Sequence, residues 1–291
     1  YVLPNLPGVA CHCVIHDTTP YAAPHLMGIK AQLIYRTNVR ISLKRARGLI
    51  CVSNRTHARM AELFPSLESK LRVVPSCLAP KFSFAGAQAY RHLDSVNIET
   101  IHGAISIPQP FILHVGVPGP RKNIPALMAA FSEVKLRMFP YRLVFVGGHA
   151  KRLPKQSQSI PQVALPDGST MQALRPLPDV LHLGQVSDDD LVTLYRHADL
   201  LVLPSLEEGF GYPALEALGF RTPVLTSVDS PLANLPGVAV IPDVTDPGSI
   251  AAALIDALRH LPDLASQLSS GFSLDYYSWD RYLRDMLAVI S

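Results

Sequence analysis

Residues Ala198–Leu218 read ADLLVLPSLEEGFGYPALEAL, an apolar run followed by a glycine-containing turn and the start of a helix. The run 198–204 is almost wholly apolar, which is typical of a parallel strand covered on both faces. Pro213 suits the first helical turn, where its missing N–H has no intrahelical partner to lose. Open parallel sheets bind ligands outside the carboxyl ends of their strands. We therefore predict a strand, a turn and a helix, with a ligand site at the turn.

Two carboxylates, Glu208 and Glu216, flank this turn. Gly209 and Gly211 let backbone amides face an anion, such as a diphosphate, at the helix N-terminus. Glu216, about one turn into the helix, can accept hydrogen bonds from vicinal hydroxyls such as those of a ribose. Glu208, before the helix, can bind the hydroxyls of a transferred sugar. The spacing of the two acids therefore suits a nucleotide-sugar site.

Three blocks carry a resemblance to the retaining glycosyltransferases of family 4, also called glycosyl transferases group 1. Residues 205–217 resemble that family's Ser-x-x-Glu-Gly-Phe-Gly-x-Pro-x-Leu-Glu-Ala signature. Residues 111–123 resemble its strand, glycine turn and Arg-Lys-Asn, and residues 14–17 resemble a strand that ends in His-Asp. The resemblance implies catalytic roles for His16, Arg121, Lys122 and Glu208. It also implies donor binding by Gly116, Gly119, Gly209, Phe210, Gly211 and Glu216.

The resemblance also implies an α/β fold of the GT-B type, with two Rossmann-like doubly wound domains and an intervening cleft. Such an enzyme moves a hexose from a UDP- or GDP-sugar to a hydroxyl of a glycan or lipid-linked acceptor, and retains the anomeric configuration. Arg121 and Lys122 would neutralise the donor diphosphate, and His16 would face the donor sugar from the other domain. With these fixed cations, we expect no metal and no other cofactor.

The chain departs from the family pattern at three places. Arg221 stands where the family has a glycine before a strand, so we expect a different loop there. Neither Ala233 nor Asn234 supplies the acid that commonly follows a Ser-x-x-Pro stretch. Tyr1 lies only a few residues before the His-Asp strand, and we expect the first domain to be incomplete.

Apolar runs alternate with helical patterns along most of the chain, which predicts a doubly wound parallel sheet. We expect a first domain and linker at 1–108, a nucleotide-sugar-binding domain at 109–275, and a helix at 276–291 that packs back on the first domain. Residues 74–110 lose periodicity and contain several prolines and glycines, which is typical of a linker. Residues 151–179, rich in Pro, Gln and Ser, predict a surface insertion.

Composition is that of a globular enzyme of 291 residues, with 48% hydrophobic residues and a net charge of +3, which gives no reason to expect nucleic acid as a partner. No apolar run approaches the roughly 18 residues needed to span a bilayer. We expect a cytoplasmic protein, or one peripheral to the inner face of the membrane. Arg36, Arg40 and Lys44 share one face of a predicted helix, which is either a contact to anionic lipid or an ordinary solvated face.

Two other classes of protein stay open. Gly209-x-Gly211-x-x-Ala214 also imitates the dinucleotide fingerprint of an NAD enzyme. That fingerprint normally follows the first strand of its domain, whereas several strand-helix pairs precede it here. The second class is a truncated or non-catalytic module that binds a nucleotide without turnover.

Two short motifs could suggest metals. Residues Asp188–Asp190 contain an Asp-x-Asp, but we expect Ser187 to cap a helix there and the acids to complement its dipole. Residues Cys11–Cys13 read Cys-His-Cys, yet on a strand the histidine points away from both thiols. We expect reduced cysteines, no disulfide framework and no bound metal.

Overall fold

The computed structural model describes residues 8–82, 93–100, 103–137, 139–148, 179–270 and 273–291. These residues form two compact units. Unit 1 comprises Tyr1–Pro80, Glu207–Gly211 and Ser273–Ser291, and unit 2 comprises Lys81–Leu206 and Tyr212–Phe272, within the described ranges. The described residues between 81 and 108 therefore belong to unit 2, whereas the boundary expected from the sequence lies at 108. The predicted insertion at 151–179 falls outside the described residues except for Asp179.

Unit 1 contains a three-stranded parallel sheet in the order β1-β2-β3. The strands are β1 (His12–Ile15), β2 (Gly48–Cys51) and β3 (Leu71–Val73). The helices are α1 (Thr19–Ala22), α2 (Ile29–Arg45), α3 (Asn54–Leu63) and the C-terminal α9 (Trp279–Ile290). The core of this unit is formed by apolar side chains from its sheet and from α2 and α3, including Ile15, Leu43, Leu49, Met60 and Leu71.

Within unit 1, the C-terminal segment is bonded to the chain that follows β3. Arg281 donates from Nη2 to Pro75 O at 2.8 Å. The backbone N–H of Leu78 donates to Tyr277 O at 3.0 Å. Ser278 caps α9 by accepting from the N–H of Arg281. These bonds fix the start of α9 within this unit.

Unit 2 contains a six-stranded parallel sheet in the order β11-β10-β9-β6-β7-β8. Its strands are β6 (Phe111–Val115), β7 (Arg142–Val146), β8 (Val180–Gly184), β9 (Leu200–Leu203), β10 (Val224–Ser227) and β11 (Val238–Ile241). Its helices are α4 (Ile124–Leu136), α5 (Asp188–His197), α6 (Tyr212–Gly219), α7 (Pro247–Arg259) and α8 (Leu261–Ser269). The reversal of strand order between β6 and β9 is the place where open α/β sheets bind ligands.

Local chemistry explains where these helices begin. Ser187 accepts the N–H of Asp190 at 3.1 Å and so caps α5, as the sequence predicted. Asp246 caps α7 by accepting from the N–H groups of Gly248 and Ser249. Each cap satisfies N–H groups that have no partner inside the helix.

Two local features differ from the sequence interpretation. The expected linker holds an antiparallel hairpin, β4 (Ser95–Thr100) and β5 (Gly103–Pro108), which the sequence interpretation did not predict. In β4, Val96 and Ile98 are buried and alternate with the exposed residues Asn97 and Glu99, which is the pattern of a strand with one covered face. The second feature is Arg221, which adopts the left-handed conformation usually taken by glycine, with φ of 62°. None of the described helices has both the length and the apolar character needed to cross a bilayer.

Candidate functional site

The loop Glu207–Gly211 is held in unit 1 through the carbonyl of Gly209. Ser53 Oγ donates to this oxygen at 2.7 Å, and Thr56 Oγ1 donates to it at 3.1 Å. Ser53 Oγ also accepts the N–H of Thr56 and thereby caps α3. The buried hydroxyl of Ser53 thus both caps α3 and fixes the loop. No role for Ser53 or Thr56 was predicted from the sequence.

Gly209 lies directly against the end of β1. A Cβ atom added at Gly209 would be 1.8 Å from His16 O and 2.9 Å from Asp17 Cβ. Such distances exclude any side chain without movement of the backbone, so the glycine is required by close approach. Asp17 in turn accepts the N–H of Thr19 at 3.0 Å, which fixes the turn after His16. The structure therefore brings together two of the three predicted blocks.

The other residues of the loop make separate contacts. Glu207 is buried, and its Oε2 lies 3.7 Å from Arg55 Nη2. The ring of Phe210 meets that of Tyr277 edge-on, with centroids 6.1 Å apart. Glu208, the predicted sugar-binding residue, is half-buried. The loop is thus anchored by the residues on both sides of Glu208.

In unit 2, the predicted Arg-Lys turn follows β6. Lys122 is buried, and its side chain passes over Gly116, where an added Cβ would lie 2.9 Å from Lys122 Cε. Gly119 begins the 3₁₀ turn Pro120–Lys122, and its carbonyl accepts the N–H of Lys122 at 3.0 Å. The carbonyl of Arg121 accepts the N–H of Leu206 at 2.9 Å. This bond joins the cationic turn to the chain that leaves β9.

Asn123 completes this turn in a way that sequence reasoning did not anticipate. It adopts φ of 53°, a left-handed conformation that asparagine tolerates better than most residues. Its side chain donates from Nδ2 to Val244 O at 2.6 Å. Asparagine thus meets two requirements at once, a turn before α4 and a bond to the chain after β11.

Glycines also close the carboxyl ends of β6, β7 and β8. The N–H of Gly116 donates to Val146 O at 2.9 Å, and the N–H of Gly147 donates to Gly184 O at 2.7 Å. A Cβ at Gly147 would lie 2.5 Å from Gly116 O. The backbone of three adjacent strands can therefore approach closely at the edge that carries the Arg-Lys turn.

Glu216, the predicted ribose-binding residue, lies on α6 and is paired with a tyrosine. Tyr195 donates from its hydroxyl to Glu216 Oε2 at 2.7 Å. Burial raises the pKa of Glu216, and the Tyr195 hydrogen bond and the charge of Lys81 oppose that rise. Burial and the neighbouring carboxylate raise the pKa of Tyr195 well above its usual value, so the tyrosine stays a donor. Sequence reasoning missed Tyr195 because its residue type and spacing do not identify its partner.

The structure shows the surroundings of the two metal-like motifs. Asp188 pairs with Lys81, and Asp190 Oδ2 accepts from the Ser187 hydroxyl at 2.6 Å. His12 lies on β1 against Gly48. Within the described part of the chain, no group of three or more His, Cys, Asp or Glu side chains is placed to hold a metal ion. All four cysteines are free.

The predicted basic face lies on α2. Arg40 and Lys44 are exposed on this helix. The side chain of Arg36 lies outside the described atoms. Contact with a membrane through this face stays a prediction.

The parallel sheet, its strand-end glycine turns and the acid-flanked loop define an α/β protein of the GT-B glycosyltransferase type. A family profile described as "Glycosyl transferases group 1" matches residues 97–269, more than half of the chain. The chain belongs to this family.

Two mannosyltransferases are among the relatives of this chain, each with less than 30% sequence identity to it. The chain is 28% identical over 210 residues to the serotype-specific mannosyltransferase WbdA of Escherichia coli, covering 71% of this chain and 24% of WbdA. It is 25% identical over 258 residues to the O-antigen chain mannosyltransferase RfbU of Salmonella typhimurium, covering 88% of this chain and 63% of RfbU. The chain thus spans about a quarter of WbdA and less than two thirds of RfbU.

Solved structures agree on the fold. The sucrose-phosphate synthase from Thermosynechococcus elongatus superposes with a TM-score of 0.63 at 19% identity, covering 96% of this chain and 66% of that one. At 19% identity, this similarity shows the GT-B fold and nothing further.

Proposed function

We propose that this chain carries the donor site of a retaining, family 4-type glycosyltransferase that moves a hexose from a nucleoside-diphosphate sugar to a hydroxyl of a glycan or lipid-linked acceptor. The observation that carries the proposal is the packing of the Glu207–Gly211 loop directly against His16 and Asp17. Two blocks that lie far apart in sequence, each with a donor-site role by resemblance, meet at a contact that excludes a side chain.

Mannose is the hexose that we propose. WbdA and RfbU are both described as mannosyltransferases, and RfbU as one that acts on the O-antigen chain. Their identity to this chain is low, so the nucleotide and the acceptor need direct tests. GDP-mannose is the first donor to assay, with UDP-glucose as the alternative.

Arg121 and Lys122 would act on the diphosphate. As the glycosidic bond breaks, negative charge grows on the leaving phosphate, and fixed cations stabilise that charge more in the transition state than in the ground state. The side chain of Lys122 loses little conformational freedom when it binds, because it is already buried and packed over Gly116. The N-terminus of α6 adds partial positive charge in the same unit.

The two glutamates would bind different parts of the donor. Glu208 would orient the sugar, and Glu216 would bind the ribose hydroxyls through the oxygen that Tyr195 does not use. His16 would contact the sugar. The leaving phosphate itself would accept the acceptor's proton. Because Arg121 and Lys122 would supply the positive charge that stabilises the diphosphate, the mechanism needs no divalent metal and transfer should persist in excess EDTA.

The test is a transfer assay with the natural full-length protein and GDP-mannose. Glu208→Gln should lower kcat/KM by about 10- to 150-fold, because it loses a charge-assisted hydrogen bond of about 1.5–3 kcal/mol. Glu133→Gln changes a partly exposed glutamate on α4 that pairs with Arg137; it is the matched control and should keep the parental rate. Parental transfer by the Glu208→Gln, Glu216→Gln double variant, or a strict requirement for manganese or magnesium, would refute the proposed site and mechanism.

A further inference from the structure

Tyr195 is held almost rigidly in unit 2. It is fully buried on α5, between the ring of Phe220, stacked at 6.2 Å, and that of Phe82, edge-on at 6.3 Å. Its backbone carbonyl accepts the hydroxyl of Thr222. A tyrosine with both its ring and its backbone fixed holds its hydroxyl oxygen in one place, which here is 2.7 Å from Glu216 Oε2.

We propose that Tyr195 is a positioning residue for donor binding, which fixes one oxygen of Glu216 and keeps the carboxylate ionised so that its other oxygen can accept the ribose hydroxyls. This inference rests on the proposed role of Glu216. A hydroxyl donor favours the charged form of a carboxylate. A buried carboxylate without a donor would be protonated more readily and would then accept hydrogen bonds poorly.

Among the groups around Glu216, Tyr195 is the main one that can keep its carboxylate ionised. On α5, Tyr195 donates to the carboxylate, whereas Arg196 of the same helix lies over the ring of Phe220. Lys81 contributes a favourable charge, but it is itself paired with Asp188. The neighbouring strands β9 and β10 carry no charged residue.

The experiment compares binding of GDP and UDP by calorimetry between pH 5.5 and 8.5. Tyr195→Phe removes only the hydroxyl, so Glu216 should titrate at higher pH. We expect Tyr195→Phe to bind about tenfold more weakly than the parent at pH 5.5 and to approach the parental affinity at pH 8.5. The matched control is Thr222→Val, which loosens the backbone of Tyr195 but leaves its hydroxyl. Any change in affinity for this control should be independent of pH.

A second measurement reads the carboxyl group without any nucleotide. In ¹³C NMR of glutamate-labelled protein, the Glu216 carboxyl should titrate at higher pH in Tyr195→Phe than in the parent. If the Glu216 titration does not move, or if Tyr195→Phe has the pH-independent profile of Thr222→Val, the inference is wrong. If the NMR titration moves but Glu216→Gln binds both nucleotides as the parent does, Tyr195 still controls the carboxylate, and the proposed role of Glu216 has failed instead.

Discussion

Acid should destabilise unit 2 through His182, which stands on β8 with its ring stacked on Phe145 of β7, centroids 4.7 Å apart and planes 6° apart. Burial lowers the pKa of His182 to about 4. In the unfolded chain the pKa is about 6.5. The unfolded state therefore binds a proton first as the pH falls. Stability is fully present above pH 6.5 and is lost as the pH falls toward 4.

The size of this loss follows from the two pKa values. Each pKa unit corresponds to about 1.4 kcal/mol, so the free energy of unfolding should fall by about 3 kcal/mol between pH 7 and pH 4 on account of His182 alone. His182→Phe keeps a ring that can stack on Phe145 but cannot take up a proton. This variant should lose that part of the pH dependence.

The assay is hydrogen exchange in a urea series, read on peptides that cover β7 and β8 at pH 7, 5.5 and 4.5. This local reading matters because a chain with two compact units need not unfold in one step. His260→Gln removes an exposed histidine from the same unit and is the control. Equal pH dependence in the parent and in His182→Phe would show that burial of this ring does not oppose its protonation.

Two further substitutions test local geometry. Gly209→Ala places a methyl group on His16 O, so we expect the Glu207–Gly211 loop to shift and donor affinity to fall at least tenfold, measured by calorimetry with GDP; parental affinity would mean that the close approach does not occur. Arg221→Gly removes the backbone strain of a left-handed arginine, which should stabilise the protein by about 1 kcal/mol. It also loses the hydrogen bond from Arg221 Nη1 to Leu268 O at 3.0 Å, so the net stability should stay near that of the parent. Arg221→Ala loses the bond and keeps the strain, so it should be about 1 kcal/mol less stable than Arg221→Gly in urea unfolding.

The parallel sheet of unit 2 was predictable because its strands are short, apolar and separated by helical segments. The starts of α5 and α6 were predictable, since Ser187 caps the first helix and Pro213 lies in the first turn of the second. The β4-β5 hairpin was missed although Val96 and Ile98 alternate with polar residues as in a half-buried strand. The prolines and glycines around it favoured a linker, and its pairing with β5 is visible only in the structure.

Parts of the candidate site were also within reach of the sequence. The resemblance pointed to His16 and to the glycine loop, and these meet in the structure. It could not reveal Ser53 and Thr56, whose hydroxyls bond the Gly209 carbonyl. Such partners are defined by tertiary packing, and serine and threonine at a helix start are ordinary capping residues in any sequence. The roles of these residues in binding stay predictions.

The bond between Tyr195 and Glu216 sets a rule for building chimeras with relatives of different donor preference. The two partners lie on consecutive helices, and the strand β9 and the Glu207–Gly211 loop separate them in the chain. A graft that begins at the Glu207–Gly211 loop would take Glu216 from one protein and α5, which carries its tyrosine partner, from another. The smallest exchangeable segment therefore runs from Ser187 to Thr222, so that the acid, its hydroxyl donor and the residue that fixes that donor's backbone travel together.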